Sequence, residues 1–206
     1  MTEDHYKPPC KGKFIVIEGI DCSGKTVQTN MLWHKLLYSI GGMRISFPNY
    51  NNETGKLIST LLQGNGKISY HGHTWACLLA ANRYEDKHIL EATLQHANVV
   101  ANRYYISNIV YSTASGIETE WLFQLDSQMP KPNVVIVLDV PVQVSVDRKT
   151  DRDILEKDVK YLEKVRKTYI ELGALMGWRV INGDRPAEYV HEEILKIVND
   201  EFGWNL

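Results

Sequence analysis

The chain has 206 residues, 44% of them hydrophobic and 23% charged, which is ordinary for one globular domain. A formal net charge of -2 gives no electrostatic reason to expect nucleic-acid binding, and three scattered cysteines argue against a disulfide framework. No window is apolar and long enough to span a membrane, and the N-terminus lacks a signal-peptide core, so we expect a cytoplasmic protein of one domain (1–206), with 1–12 a disordered lead-in.

Strand-like and helical patterns alternate along the chain. The predicted strands are Lys13–Glu18, Met43–Phe47, Asn98–Asn102, Asn133–Asp139 and Trp178–Ile181. The predicted helices lie near Lys25–Ile40, Gly55–Gln63, His73–Gln95, Tyr105–Ser115, Thr119–Ser127, Val142–Arg148, Ile154–Leu172 and Pro186–Asn199. The alternation predicts an α/β fold, a five-stranded parallel sheet with helices on both faces and ligands at the carboxyl ends of its strands.

The segment FIVIEGIDCSGKT links the first predicted strand to the first predicted helix. It matches G-x-x-x-x-G-K-[ST], and this strand-to-helix context makes an ordinary glycine-lysine loop a remote alternative. We therefore predict a P-loop NTPase fold in which Lys25 reaches the β- and γ-phosphates of ATP and the Thr26 hydroxyl ligates Mg²⁺. The predicted ATP-binding residues are Gly19, Ile20, Asp21, Cys22, Ser23, Gly24, Lys25 and Thr26.

Phosphate loops serve GTPases, motor ATPases and small-molecule kinases. The chain has no N-K-x-D motif to read guanine, and Asp139 has no second acid beside it as motor ATPases usually do. A small kinase needs cations around the transferred group, and four arginines fall near the predicted ligand edge. These are Arg83, Arg103, Arg148 and Arg152, of which the last two lie in a charged segment, about 148–156, that we predict to form a lid. Each one alone is equally well explained as a solvated surface arginine.

Five segments, in order, resemble the thymidylate kinase family, and the likeness runs from Lys13 to about Ile197. The segments are FIVIEGIDCSGKTVQ, SFPNYNNETGKLISTLL, LLAANRYE, NRYYISNIVYSTASG and MPKPNVVIVLDVP. The resemblance implies transfer of the γ-phosphoryl group of ATP to a deoxynucleoside monophosphate, dTMP in this family, with Mg²⁺ as cofactor. It also implies a homodimer.

The resemblance implies a role for each matching residue. Asp21 would accept a hydrogen bond from the sugar 3′-hydroxyl, Tyr111 would exclude a ribose 2′-hydroxyl, and Arg103 would bind the acceptor phosphate. Arg83 would reach both the base and that phosphate. The implied acceptor-binding set is Asp21, Phe47, Arg83, Arg103, Ser107, Asn108 and Tyr111.

The catalytic arginine has two possible places in this family, the phosphate loop and the lid. In this chain the loop position holds Cys22, which carries no positive charge. We therefore predict that Arg152, which follows Asp151 in a D-R pair, acts from the lid together with Lys25 and Arg103, with Arg148 as second candidate. Cys22 is either a small filler residue or a thiol activated at a helix N-terminus.

Three positions depart from the family pattern. Tyr50 stands in place of an arginine, Leu79 in place of an aromatic residue that stacks on the base, and Asn102 in place of an aspartate. Asn102 is still able to bind Mg²⁺ through water. These departures keep two alternatives open, a kinase of another deoxynucleotide or nucleoside and a catalytically weak nucleotide-binding regulator.

Overall fold

The computed structural model describes residues 12–64, 68–70, 72–148 and 158–206. Five strands form one sheet in the order β2-β3-β1-β4-β5, and every neighbouring pair is parallel. The strands are β1 Phe14–Glu18, β2 Gly42–Ser46, β3 Asn98–Asn102, β4 Val134–Asp139 and β5 Arg179–Asn182. The predicted fold class is confirmed, and every strand begins and ends within one residue of its predicted boundary.

The described helices cover both faces of this sheet. They are α1 Lys25–Ser39, α2 Glu53–Leu62, α3 His73–Glu85, α4 Lys87–Leu94, α5 Tyr105–Ala114, α6 Thr119–Leu125, α7 Val142–Asp147, α8 Val159–Met176 and α9 Ala187–Phe202. Most of the predicted lid lies outside the described residues, and so does the start of the helix predicted at Ile154.

The central strand β1 shows why the sheet needs two helical layers. All five of its residues are buried, because a parallel strand in the middle of a sheet faces the core on both sides. Phe14 and Val16 belong to the hydrophobic cluster that contains residues of α5 and α8, whereas Ile15 and Ile17 belong to the cluster formed with α1 and α9. The strand is thus held from both faces, and its carboxyl end is a rigid platform for the loop that follows.

The prediction of one long helix over His73–Gln95 is wrong, because the chain turns at Asp86 between α3 and α4. The Asp86 carboxylate accepts a hydrogen bond from the Asn49 side chain at 2.6 Å. Asp86 thereby holds the loop after β2 against the end of α3. The helical periodicity continues across the break, which is why the sequence did not reveal it.

The stripe Trp75, Leu78, Leu79, Asn82 on α3 fits either a core or an oligomer interface on periodicity alone. In the structure Trp75 is buried against Ile58 and Leu61, and Asn82 is fully buried. Trp75 and Asn82 therefore pack within the chain, whereas Leu78 and Leu79 are half-buried beside the same cluster. Among the described residues, no helix is both long and apolar enough to cross a membrane.

Candidate active site

The phosphate loop joins β1 to α1 at the carboxyl edge of the sheet. Two of its glycines have conformations that other residues rarely adopt, with φ 140° at Gly19 and φ 98° at Gly24. A side chain at position 19 would also place its Cβ 2.6 Å from the carbonyl oxygen of Leu138. The loop therefore requires these glycines, and it ends at a helix N-terminus, where backbone N–H groups and the helix dipole favour phosphate.

Lys25 is buried at the start of α1, and its Nζ donates a hydrogen bond to the Ile20 carbonyl at 2.6 Å. Burial, together with repulsion from Arg103, lowers the pKa of Lys25 to about 7, against the opposing attraction of Asp21. A phosphate group beside Nζ would favour the charged ammonium form. The Lys25 amine is thus a cationic group for phosphate, held in place inside a loop that little water reaches.

Asp21, Arg103 and Tyr111 form a network between the phosphate loop, the end of β3 and α5. Arg103 Nη2 donates to Asp21 Oδ1, and the Tyr111 hydroxyl donates to Asp21 Oδ2 at 3.0 Å. The guanidinium also lies over the Tyr111 ring, 5.5 Å from its centre. Burial would raise the pKa of Asp21, but Arg103, Lys25 and the Tyr111 hydrogen bond outweigh it and lower the pKa to about 2. Asp21 is therefore ionised at neutral pH.

Glu18, the last residue of β1, holds the residues next to Arg103 in place. Its buried carboxylate accepts hydrogen bonds from the backbone N–H groups of Tyr104 and Ser107, at 2.8 and 3.1 Å, and from the Tyr169 hydroxyl at 2.8 Å. It also accepts from the Ser107 hydroxyl at 2.6 Å, and that hydroxyl in turn accepts from Arg103 Nη1 at 2.9 Å. We therefore assign Ser107 to the positioning of Arg103, whose φ of 66° is itself a constrained conformation.

The predicted base-binding residues lie farther from the phosphate loop. Arg83 forms a two-pronged ion pair with Asp126. Asn108 donates its side-chain N–H to the Ala76 carbonyl at 3.0 Å, which fixes the orientation of the amide. Phe47 is buried and packs against the Tyr104 ring, with 5.5 Å between the ring centres. All the predicted acceptor-binding residues line one cavity of the structure. They are Asp21, Phe47, Arg83, Arg103, Ser107, Asn108 and Tyr111.

Two departures from the family pattern also lie at this cavity. Tyr50 and Leu79 both line it, as do Tyr70 and Trp75. The apolar wall beside Leu79 is therefore partly aromatic, although position 79 itself is not. Tyr50 is 47% exposed and carries no charge. Its hydroxyl can donate one hydrogen bond to a phosphate, but it supplies neither the charge nor the planar fork of the missing arginine.

The third departure, Asn102, lies next to the predicted metal ligand. Asn102 donates its amide N–H to Thr26 Oγ1 at 3.1 Å. Its own Oδ1 is buried and has no hydrogen-bond partner among the described residues. The two residues therefore hold the oxygen types that suit a hard cation and its bound water, although the amide presents its N–H and not Oδ1 to the hydroxyl.

Only one of the two lid candidates lies within the described residues. Arg148 Nη1 donates to the Cys22 carbonyl at 3.1 Å, and Nη2 forms an ion pair with Asp184 at 3.3 Å. Arg148 therefore lies against the phosphate loop. Arg152 lies outside the described residues, so its catalytic role stays a prediction.

Two cavities meet at this edge of the sheet. The first is a cleft of about 550 Å³ over the phosphate loop, a size typical of ligand sites. We call it the donor cleft because predicted ATP-binding residues line it. The second extends toward α3 and α5, and we call it the acceptor cavity. Asp21 and Arg103 line both. Two ligands bound side by side would therefore meet at these two residues.

Sequence reasoning missed two residues of this region. Asp126 has no motif around it and lies 43 positions from its partner Arg83, so no local pattern pointed to it. Arg185 lines the donor cleft from the loop after β5. The sequence could have predicted Arg185, because ligands of a parallel sheet bind at the carboxyl ends of its strands, and Arg185 follows the fifth strand.

Comparison with known proteins points to one family. Residues 17–194 match the family model described as thymidylate kinase. The probable thymidylate kinase of Pyrococcus abyssi is 35% identical over 202 residues, covering 93% of this chain and 98% of the relative. The thymidylate kinase of Arabidopsis thaliana is 30% identical, covering 97% and 75%. A Candida albicans thymidylate kinase structure, at 24% identity, matches the fold with a TM-score of 0.81 and covers 92% of each chain.

Proposed function

Because the chain belongs to the thymidylate kinase family, we propose that it transfers the γ-phosphoryl group of ATP to dTMP, giving dTDP and ADP. The observation that carries this proposal is the meeting of the donor cleft and the acceptor cavity at Asp21 and Arg103. A kinase of a phosphorylated acceptor has to hold two anions with their reacting atoms in contact and water excluded.

The donor cleft suits a nucleoside triphosphate. The backbone of the phosphate loop and the N-terminus of α1 receive the phosphate groups, and Lys25 supplies a positive charge beside them. In the reaction an oxygen of the dTMP phosphate forms a bond to the γ-phosphorus while the bond from that phosphorus to the bridging oxygen breaks. ADP then leaves, and Lys25 stabilises the charge that spreads over the transferred group.

The residues at the predicted metal site fit Mg²⁺. Thr26 and Asn102 both line the donor cleft, and each carries an oxygen ligand for a hard cation. The amide of Asn102 turns its N–H to Thr26 and buries its unpartnered Oδ1, so a 180° turn of the amide would bring Oδ1 to the Thr26 side. Thr26 would ligate the ion directly and Asn102 through a bound water. When bound, the ion would neutralise part of the charge on the phosphate groups.

The acceptor cavity suits a base with a carbonyl next to an N–H group. The Asn108 amide donates to the Ala76 carbonyl, and its Oδ1 accepts from the Ser112 hydroxyl at 3.3 Å, so a second lone pair of Oδ1 remains as an acceptor for N3–H of thymine. Arg83 offers an N–H donor to the neighbouring O4. Cytosine presents an unprotonated N3 and an amino group at these positions. Its N3 would face the Asn108 oxygen, two acceptors together, and its amino group would face the Arg83 N–H, two donors together. The cavity therefore favours thymine or uracil over cytosine.

The sugar of dTMP would lie between the base and the shared residues. Each Asp21 oxygen accepts one hydrogen bond in the structure and has a further lone pair for the 3′-hydroxyl. The Tyr111 side chain contacts Asp21 and Arg103, and in the proposed binding mode its ring would exclude a ribose 2′-hydroxyl. Arg103 is left to bind the acceptor phosphate, with the predicted Arg152 closing from the lid.

An ADP-release assay over a panel of acceptors tests the proposal. We expect the highest kcat/KM with dTMP, less with dUMP, and at least about a hundredfold less with dCMP, because a mismatched site leaves buried polar groups unpaired. Thymidine should not be an acceptor, since it offers no phosphate to Arg103. Highest activity with thymidine would instead favour a nucleoside kinase, and ATP binding without turnover of any acceptor would favour a regulator.

Asn102→Asp should lower the Mg²⁺ concentration needed for half-maximal kcat by about tenfold, the low end of what outer-shell ligands contribute. Asn102 donates a hydrogen bond to Thr26 Oγ1 and so competes for the lone pairs that a metal needs. A carboxylate would accept from that hydroxyl instead and would add negative charge near the ion. The measurement is kcat across a Mg²⁺ titration at saturating substrates.

Asn102→Ala is the matched control, because it removes the amide without adding charge. It should relieve the competition for Thr26 but give no electrostatic gain, so its Mg²⁺ requirement should exceed that of Asn102→Asp. If Asn102→Asp is slower than the native protein at every Mg²⁺ concentration, the metal site depends on the amide and our interpretation is wrong.

A further inference from the structure

The ion pair between Arg83 and Asp126 is the most deeply buried charged contact near the acceptor cavity among the described residues. Arg83 Nε donates to Asp126 Oδ1 at 2.8 Å, and Nη2 donates to Oδ2 at 2.5 Å. The exposed fractions of the two side chains are 4% and 1%. Arg83 lines the cavity, whereas Asp126 lies behind it at the end of α6 and does not. The pair is neutral as a unit.

The geometry of the pair decides what Arg83 has left to offer. A guanidinium is planar, so binding two of its nitrogens to one carboxylate fixes the direction of the third. That third nitrogen, Nη1, has no hydrogen-bond acceptor within the described residues. Arg103 differs, because both of its terminal nitrogens are hydrogen-bonded near the phosphate loop, to Asp21, to Ser107 and to the Gly19 carbonyl.

We propose that Asp126 is a positioning residue that neutralises Arg83 and aims Nη1 at the O4 carbonyl of the acceptor base, so that Arg83 reads the base and takes no part in binding the acceptor phosphate. The inference rests on the proposed function for the identity of the acceptor. From the sequence we expected Arg83 to contact both the base and the acceptor phosphate; the proposal keeps only the contact with the base. The positive charge that binds the phosphate is then that of Arg103, since Tyr50 carries none.

Stability alone is a weak explanation for this pair. Desolvating two charges costs about as much as their attraction returns, and apolar residues of similar volume often serve as well. A neutralised arginine, in contrast, suits an uncharged partner such as a base carbonyl. An arginine without its carboxylate would attract any nearby anion, including the acceptor phosphate. Asp126 therefore makes Arg83 select a base carbonyl over the acceptor phosphate.

Binding of thymidine and of dTMP, measured separately by calorimetry, separates a base contact from a phosphate contact. Asp126→Asn should weaken thymidine by about tenfold, the value of a hydrogen bond to a charged donor, and should weaken dTMP by that factor or less, because an Arg83 that is no longer neutralised also attracts the phosphate. Arg103→Met should weaken dTMP far more than thymidine, because thymidine has no phosphate and loses only what Arg103 contributes by holding Asp21 and Tyr111. A loss confined to dTMP in Asp126→Asn would assign Arg83 to the phosphate, and no loss with either ligand would remove Asp126 from the site; both results overturn the proposal.

Asp139→Asn is the matched control. Asp139 forms a similar two-pronged pair with Arg166, at 2.6 and 3.0 Å, between β4 and α8. Neither residue lines the acceptor cavity. This variant should lose thermal stability without changing thymidine affinity. An equal loss of thymidine affinity in Asp139→Asn would mean that the effect at Asp126 is general destabilisation, and it too overturns the proposal.

A second pair of variants covers the case in which Asp126→Asn does not fold, because it leaves a buried charge unpaired. Arg83→Met removes the cation, and Asp126→Leu in that background then removes the carboxylate. If Asp126 acts only through Arg83, the second change should alter thymidine affinity by less than about twofold. A further tenfold loss would show an independent role. A native protein that binds both ligands but transfers no phosphoryl group would refute the proposed function and leave this inference open to the same binding test.

Discussion

Lys25→Ala should lower kcat by about 10²–10³-fold, the usual effect of removing one preorganised donor to a developing negative charge. Lys25 is buried in the phosphate loop, where its Nζ is already held by the Ile20 carbonyl. No reorganisation is then needed when charge develops on the transferred phosphoryl group. The KM for dTMP should change much less, because Lys25 lines the donor cleft and not the acceptor cavity.

The same substitution should leave the protein folded, and it should change how stability depends on pH. In the ligand-free native protein the pKa of Lys25 is lowered from 10.5 to about 7. Between these values the unfolded chain binds a proton that the folded protein does not, so the free energy of unfolding rises with pH. Lys25→Ala should lose this rise. Urea titrations at pH 7 and pH 9 measure it.

Lys196→Ala is the control for both measurements, since Lys196 is exposed on α9. It should keep the native kcat and the native pH dependence of unfolding. Native-like turnover in Lys25→Ala would contradict the kinase mechanism itself, whatever the stability data show.

Arg103→Met should lower kcat/KM for dTMP by about 10³-fold, because a buried charge-assisted contact and the order of the site are lost together. Arg103 contacts Asp21 and the Gly19 carbonyl in the phosphate loop and Ser107 on α5. It is therefore both the acceptor-phosphate ligand and the connection between the two cavities. The KM for ATP should rise less than the KM for dTMP.

Arg103→Lys refines this result and Arg179→Met controls it. Lysine keeps the charge but lacks the planar fork, so it should recover only a small part of the activity. Arg179 is an exposed arginine of β5 that pairs with Glu201, and its replacement should leave kcat/KM native-like. Full activity in Arg103→Lys would show that charge alone is needed and that the network with Asp21 and Ser107 is dispensable.

The sequence predicted those parts of the molecule that local patterns encode. The strand, glycine-rich loop and helix around Lys25 are contiguous, so the motif and its context could be read together. Arg103 was found because it follows the third strand, and parallel strands bring their carboxyl ends to one edge. The resemblance then supplied roles for Asp21 and Tyr111, which the structure places in direct contact.

Contacts between distant parts of the chain were beyond such patterns. Asp126 meets Arg83 across 43 residues, and Glu18 meets Tyr169 across 151. Such pairings depend on how the helices pack, which neither composition nor periodicity records. The break at Asp86 was missed for a related reason, since the residue that stabilises the turn there is Asn49 of another loop.

The most direct measurement of the central claim is a single-turnover experiment with ATP labelled in its γ-phosphoryl group. Excess protein is mixed with labelled ATP, Mg²⁺ and dTMP, and the nucleotides are separated. We predict that the label appears in dTDP, one for each ADP formed, and that little label is released as inorganic phosphate when dTMP is omitted. Label found in inorganic phosphate with or without dTMP, and none in dTDP, would contradict the account.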